Sequence, residues 1–199
     1  FPVGNEKVSI SSNVVTINPA GTVDSSTDYN VQIAATAFDD ASGNSYAGIT
    51  NATTLNFTSA DVAVPTLSSS SPADGATGVG VNANIVLTFS ETIVAGSGNI
   101  LISTGSSSDG GFESIPVGNA KVSISSNVVT INPAGTFASS TAYNVQIAAT
   151  AFDDASGNSY AGITNATTLN FTSADVVAPT MTITATDGSN AVSDGATTN

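Results

Sequence analysis

A near-identical internal repeat constrains this chain more than any other feature. Residues 115–178 restate residues 1–64 at a fixed offset of 114 positions, and the two blocks differ at seven places. A repeat of this length is too long for a solenoid unit and is typical of folded domains joined in tandem. The period predicts one complete domain, residues 65–178, preceded by the second part of a domain, residues 1–64. It also predicts the first strand of a further domain in residues 179–199, and we interpret the sequence as a segment of a longer protein.

The charge of the chain argues against two classes of partner. Lys7 and Lys121 are its only basic residues, against fifteen acidic ones, and the net charge is −13. Binding to nucleic acid or to an anionic membrane surface needs clusters of Lys and Arg, so we expect neither. No apolar run reaches 18 residues, so no membrane insertion of this segment is expected. The chain has no cysteine, and its acidic, lysine-poor composition is typical of secreted bacterial surface proteins.

Short alternating segments indicate the fold class. Ile85, Leu87 and Phe89 alternate with Val86 and Thr88, which is the pattern of a strand with one buried face. Similar segments occur at 100–103, 122–125, 128–131, 143–147 and 169–171. Since no stretch carries a sustained helical period, the sequence predicts an all-β fold. We expect about seven short strands in each domain, arranged as an antiparallel β-sandwich.

Three connecting features complete this prediction. Ser126-Asn127 is expected to form a tight hairpin turn, with Asn in the left-handed conformation. The Gly- and Ser-rich residues 105–111 are expected to be a flexible connection. Tyr29 and Tyr143 follow equivalent turns, and a tyrosine in that position of a sandwich often bonds back to the upstream backbone.

Several motifs, in order, resemble the bacterial Ig-like domain family, which is named for an S-layer protein and occurs in tandem in giant secreted adhesins. They are the stretch 65–79 (Pro-Thr-Leu-Ser-Ser-Ser-Ser-Pro-Ala-Asp-Gly-Ala-Thr-Gly-Val), 85–91 (Ile-Val-Leu-Thr-Phe-Ser-Glu), 143–147, 154–158 and 169–172. The resemblance covers 65–178 and, through the repeat, 1–64. It implies tandem immunoglobulin-like sandwiches that act mostly as spacers. The tail from Pro179 is more similar to the first strand of a different Ig-like subtype.

Catalysis finds little support in the residue types. The chain has neither His nor Cys, so Ser-His-Asp and Cys-His arrangements are excluded within these residues. Paired carboxylates occur at 39–40 and 153–154. Adjacent residues of a strand point to opposite faces and those of a loop are solvated, so a glycosidase-like pair is not expected. We predict that this segment is not an enzyme.

The same acidic residues are candidates for binding Ca²⁺, which takes six to eight oxygen ligands. In the predicted sandwich the loop from Glu91 and the loop at Asp153 and Asp154 lie at the pole where the chain enters the domain. The linker residue Asp61 should lie there too, and four converging carboxylates would repel one another without a cation. Asp175 would make the corresponding contribution to the following domain. The alternative is that all of these carboxylates are solvated and never meet.

The leading hypothesis is a structural role. We expect tandem Ig-like domains that extend a long secreted or cell-surface bacterial adhesin, or that build an extracellular filament, with calcium stiffening the domain junctions. The expected partners are neighbouring repeats of the same protein, and other copies of the chain in a fibre. The alternative is a carbohydrate- or surface-binding module that uses the loops 91–98 and 151–165. Phe152 and Tyr160 are the aromatic residues of these loops.

Overall fold

The computed structural model describes residues 6–188 and 190–192, and all regular structure in them is β. This confirms the all-β prediction. The described residues form seventeen strands, and they contain no helix that is long and apolar enough to cross a membrane. Residues 1–5 of the first repeat block and 193–199 of the predicted third domain lie outside the described ranges.

The described part of the first repeat block, from residue 6 onward, contains four strands in two separate two-stranded sheets. These strands are β1 (Val8–Ser11), β2 (Val14–Ile17), β3 (Asp28–Asn30) and β4 (Asn56–Thr58). β1 pairs with β2, and β3 pairs with β4, both antiparallel. We call residues 6–59 the open block, because the strands that complete a sandwich have no counterpart there.

The complete domain contains eleven strands rather than about seven. They are β5 (Leu67–Ser71), β6 (Ala76–Val79), β7 (Ile85–Phe89), β8 (Ile93–Ala95), β9 (Asn99–Thr104), β10 (Glu113–Pro116), β11 (Val122–Ser125), β12 (Val128–Ile131), β13 (Ala142–Ile147), β14 (Phe152–Asp154) and β15 (Asn170–Ser173). Seven of them are three or four residues long: β6, β8, β10, β11, β12, β14 and β15. Of these, β6, β8, β10 and β14 lack the alternation of apolar and polar residues by which a strand is predicted from sequence.

Two sheets form the sandwich. One has the order β10-β9-β13-β15-β6 and the other the order β11-β12-β7-β5, with β14 and β8 as an additional pair. The neighbours are antiparallel except for β15 and β6, which are parallel. The inward residues of the alternating strands build the core between the sheets: Ile85, Leu87 and Phe89 are buried, whereas Val86 and Thr88 are partly exposed. Alternation thus explains which side chains enter the core.

An aromatic cluster and a tyrosine clamp hold the start of β13. The ring of Tyr143 lies 4.7 Å from that of Phe137 and 5.7 Å from that of Phe171. Its hydroxyl oxygen accepts a hydrogen bond of 2.9 Å from the Ala138 N–H. In the open block, Tyr29 makes the equivalent bond with the backbone five residues upstream, at 2.8 Å. Both contacts confirm the predicted tyrosine clamp.

Two predictions about the connections are wrong in detail. In the β11–β12 hairpin the residue with positive φ is Ser126, at 55°, and not Asn127, whose side-chain amide donates to the Phe89 carbonyl at 2.8 Å. The Gly-rich residues 105–111 are not a free connection. The buried Asn144 donates to two carbonyls of this loop, at 2.9 Å each, and the buried Ser103 accepts the N–H of its Gly110 at 2.8 Å.

Beyond the complete domain, residues 176–184 belong to no sheet, and Met181 and Ile183 are strongly exposed. A short hairpin follows, formed by β16 (Ala185–Asp187) and β17 (Asn190–Val192).

Candidate metal site at the domain junction

The linker between the open block and the complete domain carries Asp61. Its Oδ1 accepts hydrogen bonds from the Ser25 hydroxyl at 2.8 Å and from the Ala63 N–H at 3.1 Å. The first bond attaches the linker to the open block, and the second makes a local turn of the kind that Asp favours. The second carboxylate oxygen, Oδ2, accepts no hydrogen bond within the described chain.

Two carboxylates of the complete domain face this linker. Glu91 lies two residues after β7 ends and two residues before β8 begins. Asp154 is the last residue of β14 and is paired with Ile93, the first residue of β8. The antiparallel pairing of these two short strands therefore brings both acidic residues to the pole where the chain enters the domain.

The three carboxylates converge. One carboxylate oxygen each from Asp61, Glu91 and Asp154 lies within 4.8 Å of the others. Asp154 is buried, and the other two residues are partly exposed. A direct contact joins the two sides of the junction as well, because the Asn158 side-chain amide donates to the Asp61 carbonyl at 3.2 Å.

Hydrogen bonds within the 154–158 loop fix the position of Asp154. Its Oδ1 accepts the N–H groups of Ser156 and Asn158, at 2.8 Å each, and its Oδ2 accepts the Asn158 amide at 2.7 Å. These bonds, the Asn158 amide first, lower the pKa of Asp154 because they favour its charged form. The Asp154 carboxylate is thus held ionised and oriented before any ligand arrives.

The pKa of Glu91 is shifted in the direction opposite to that of Asp154. Desolvation by burial, followed by the negative charges of Asp154 and Asp61, raises the pKa of Glu91. Its carboxylate accepts no hydrogen bond from the described residues. Glu91 therefore has both oxygens free, beside two further carboxylates that oppose its charge.

The structure does not bring Asp153 to this group. Asp153 precedes Asp154 in β14, and successive residues of a strand point to opposite sides. Its Oδ1 accepts the Ser159 hydroxyl at 2.5 Å, and its Oδ2 lies against Gly96, where an added Cβ would be only 2.7 Å away. Asp153 is therefore not part of the group that was predicted from the sequence, because the alternation of side chains along a strand separates it from Asp154.

Asp175 repeats the local geometry of Asp61 at the far end of the complete domain. Its Oδ1 accepts the Val177 N–H and the Ser139 hydroxyl, at 3.0 Å each, and these two bonds lower its pKa. Positions 91 and 154 have no repeat counterparts within residues 179–199. Asp175 therefore serves as an internal reference for Asp61, with the same linker bonds but without converging carboxylates in the described chain.

Asn158 was not predicted to be a junction residue, although the sequence contains a signal for it. The segment Asp-Ala-Ser-Gly-Asn occurs twice at the repeat offset, at 40–44 and 154–158. In the open block Asn44 bonds to Asp40 as Asn158 does to Asp154, and these bonds lower the pKa of Asp40. In both copies the loop fixes its own aspartate by hydrogen bonds, so the carboxylate oxygens are already in place to bind a cation.

The donor set of the junction suits a hard cation. All three side chains offer carboxylate oxygens, the ligands that Ca²⁺ prefers, and none offers nitrogen or sulfur. The loop aromatics do not form a sugar-binding platform, since Phe152 and Tyr160 are buried and pack against Phe89 at ring distances of 5.4 and 5.1 Å. The geometry thus favours cation binding over stacking on a carbohydrate.

Comparison with known families identifies most of the chain. A family model described as a bacterial Ig-like domain matches residues 2–59 and 61–173. No curated protein matches the chain at a significant level.

Proposed function

Because the chain belongs to the bacterial Ig-like domain family, we propose that it is a spacer in a long protein of the bacterial cell surface or its surroundings, an adhesin or an extracellular filament. Domains of this family are typically found in bacterial surface and extracellular proteins. Each complete sandwich buries its own core and adds a fixed length to the array. The absence of His and Cys supports a mechanical rather than a catalytic role.

The observation that carries this proposal is the convergence of Asp61, Glu91 and Asp154 at the domain junction. A linker that only connects two domains has no need to place its own carboxylate beside two carboxylates of the next domain. Like charges at this spacing repel, so without a cation they favour an open junction. A bound Ca²⁺ reverses the sign of the interaction and draws the linker onto the complete domain.

In this account Asp61 from the linker and Glu91 and Asp154 from the complete domain hold one Ca²⁺. Asn158 positions the linker through its bond to the Asp61 carbonyl, and the other ligands are water or backbone oxygens. Sites with few protein ligands in extracellular modules have dissociation constants of about 10⁻⁴ to 10⁻³ M. The junction is therefore filled at the calcium concentrations found outside cells and empty at those inside.

The repeat supplies matched controls for the test. Isothermal titration with CaCl₂ should detect binding to the wild-type chain, and Asp61→Asn or Asp154→Asn should abolish it. Asp175→Asn and Asp40→Asn remove carboxylates with the same local hydrogen bonds, at positions where no other carboxylates of the described residues converge. These two variants should bind as the wild type does. The proposed site would be contradicted if Asp175→Asn lost as much calcium binding as Asp61→Asn, or Asp40→Asn as much as Asp154→Asn. Absence of binding by the wild type would contradict it too.

A further inference from the structure

The pattern Asn-x-Thr, which enzymes of N-linked glycosylation accept, occurs four times in the chain. Two of these acceptor patterns lie in each copy of the repeat, starting at residues 51 and 56 and at residues 165 and 170. A chain rich in Ser, Thr and Asn contains such patterns by chance, so the pattern alone assigns no site. The structure separates the two members of each pair, because it gives their asparagines different surroundings.

Asn165 begins an exposed turn of the complete domain, residues 165–168. The turn is anchored on both sides by buried residues, Ile163 and Leu169, and both anchors hydrogen-bond to the backbone of β13. Asn165 and Thr167, the first and last residues of the acceptor pattern, are both exposed. The pattern thus lies on a surface loop that the closed sandwich holds in place.

Four hydrogen bonds converge on the side-chain oxygen of Asn165. Its Oδ1 accepts the N–H and the hydroxyl of Thr167, at 2.9 Å each, and those of Thr168, at 2.9 and 3.0 Å. Its Nδ2 donates no hydrogen bond to any residue that the structure describes. The turn therefore fixes the amide oxygen and leaves the amide nitrogen available to react.

This arrangement suits the chemistry of sugar transfer to an amide. An amide nitrogen is a weak nucleophile, because its lone pair is delocalised into the carbonyl group. Removal of an Nδ2 proton by a general base makes the nitrogen reactive and places negative charge on Oδ1. The four donors around Oδ1 stabilise that charge in the way that an oxyanion hole does. The turn thus prepares the Asn165 amide for the reaction.

Asn170 has the same acceptor pattern in a setting that opposes the reaction. It lies in β15, between β13 and β6. Its Nδ2 donates to the Asp74 Oδ1 at 2.8 Å and to the Thr167 carbonyl at 3.3 Å. Phe171, the middle residue of the pattern, is buried in the core. A transferase could reach Asn170 only by opening the sandwich.

The open block repeats both arrangements. The Asn51 Oδ1 accepts the N–H and hydroxyl groups of Thr53 and Thr54, at 2.8 to 3.0 Å. Asn56 resembles Asn170, since its Nδ2 donates to the Thr53 carbonyl at 2.9 Å. Each copy of the repeat therefore has one prepared acceptor and one whose amide nitrogen is engaged.

We propose that Asn165 and its repeat equivalent Asn51 are sites of N-linked glycosylation. Nδ2 loses a proton to a base of the transferase and forms a bond to the anomeric carbon of the sugar. The bond between that carbon and a phosphate oxygen of the donor breaks, and the phosphate departs with the electron pair. The donor is a sugar activated as a phosphate ester, carried by a nucleotide or by a lipid.

Glycosylation at these positions gives one sugar chain for every 114 residues. Only 9% of the residues in this chain are charged. Sugars are bulky and strongly hydrated, so at this regular interval they add solubility that the side chains supply sparingly. The modification is thus suited to a long array of near-identical domains.

Peptide mass mapping of the protein from the bacterium that produces it tests the proposal, with electron-transfer fragmentation to assign each sugar to one residue. Asn165 and Asn51 should carry sugar, whereas Asn170 and Asn56 should not. A chain retained in the cytoplasm and still modified assigns a nucleotide-linked donor, and modification only after export assigns a lipid-linked donor. An unmodified Asn165, or a sugar on Asn170, would overturn the proposal.

Variants produced in the same bacterium separate the acceptor role of the turn from a structural one. Thr167→Val removes the hydroxyl with little change of shape and should abolish modification of Asn165, whereas Thr167→Ser keeps the hydroxyl and should retain it. Thr172→Val removes the hydroxyl of the engaged pattern and should leave the sugar content unchanged. Thermal unfolding of the sugar-free proteins checks that each variant folds. Full modification of Asn165 in Thr167→Val would contradict the assignment.

Discussion

Replacing Glu91 by glutamine should raise the stability of the protein when calcium is absent and lower it when calcium is bound. In EDTA the substitution removes one of three carboxylates whose oxygens lie within 4.8 Å of one another. Glu91 accepts no hydrogen bond from the described residues, so no favourable contact is lost with its charge. After allowance for solvent screening of this partly exposed residue, the relieved repulsion amounts to about 1 kcal/mol. The calcium-free variant should therefore melt about 4 °C above the wild type.

In the presence of calcium the wild type should be the more stable of the two proteins. With a dissociation constant typical of extracellular modules, about 10 mM calcium exceeds it roughly 10- to 100-fold and stabilises the folded wild type by about 1.4–2.7 kcal/mol. For a domain of this size that shift corresponds to a rise in Tm of roughly 5–15 °C. A glutamine amide offers a weaker, neutral ligand, so Glu91→Gln should lose most of this rise.

Differential scanning calorimetry of both proteins, in EDTA and in calcium, measures the two effects together. Magnesium at the same concentration is the control for general ionic effects, because Mg²⁺ binds such flexible oxygen sites poorly. A variant that is less stable than the wild type in EDTA would show that Glu91 is not repelled by its neighbours. A variant that keeps the full calcium-dependent rise would show that the cation, if bound, does not use this residue.

Three further results are expected. In EDTA the raised pKa of Glu91 contributes stability that is present below the ordinary pKa of 4.5 and is lost as the pH rises through the higher pKa of the folded state. As the pH falls from about 7 to 5, the unfolding free energy of the wild type should therefore gain this contribution, whereas that of Glu91→Gln should not. Phe171→Ala, in the buried aromatic cluster, should cost about 3–5 kcal/mol of unfolding free energy in urea, whereas Phe57→Ala at the equivalent exposed site should cost far less. Tyr143→Phe removes a clamp bond and should cost about 1 kcal/mol. Tyr29→Phe should leave the complete domain unchanged.

The fold was predictable because its main signals are local and repeated. Period-two alternation places Ile85, Leu87 and Phe89 in the core, and the 114-residue period indicates which segments are equivalent. Tyr143 was predictable because its role follows from its position after a turn. The parallel pairing of β6 with β15 was not predictable, since it joins two short segments far apart in the chain and depends on how the whole sandwich closes.

The junction was predictable from topology but not in its detail. Antiparallel order brings Asp61, Glu91 and Asp154 to one pole, and the structure shows them together. Asp153 does not join them, because one residue of offset in a strand turns a side chain to the other face. The contact of Asn158 with the linker depends on the approach of two separately folded blocks, which no local pattern encodes.

Under the proposed function, calcium fixes the open block and the complete domain relative to each other. Spin labels on Ser11→Cys and Ser123→Cys, exposed positions on the equivalent strands β1 and β11, report the distance between the two blocks by double electron–electron resonance. Dilute samples avoid contacts between copies. We expect a broad distance distribution in EDTA that becomes narrow in calcium, and a broad one in both conditions for Asp61→Asn. Distributions of equal width with and without calcium in the otherwise unchanged chain would contradict it.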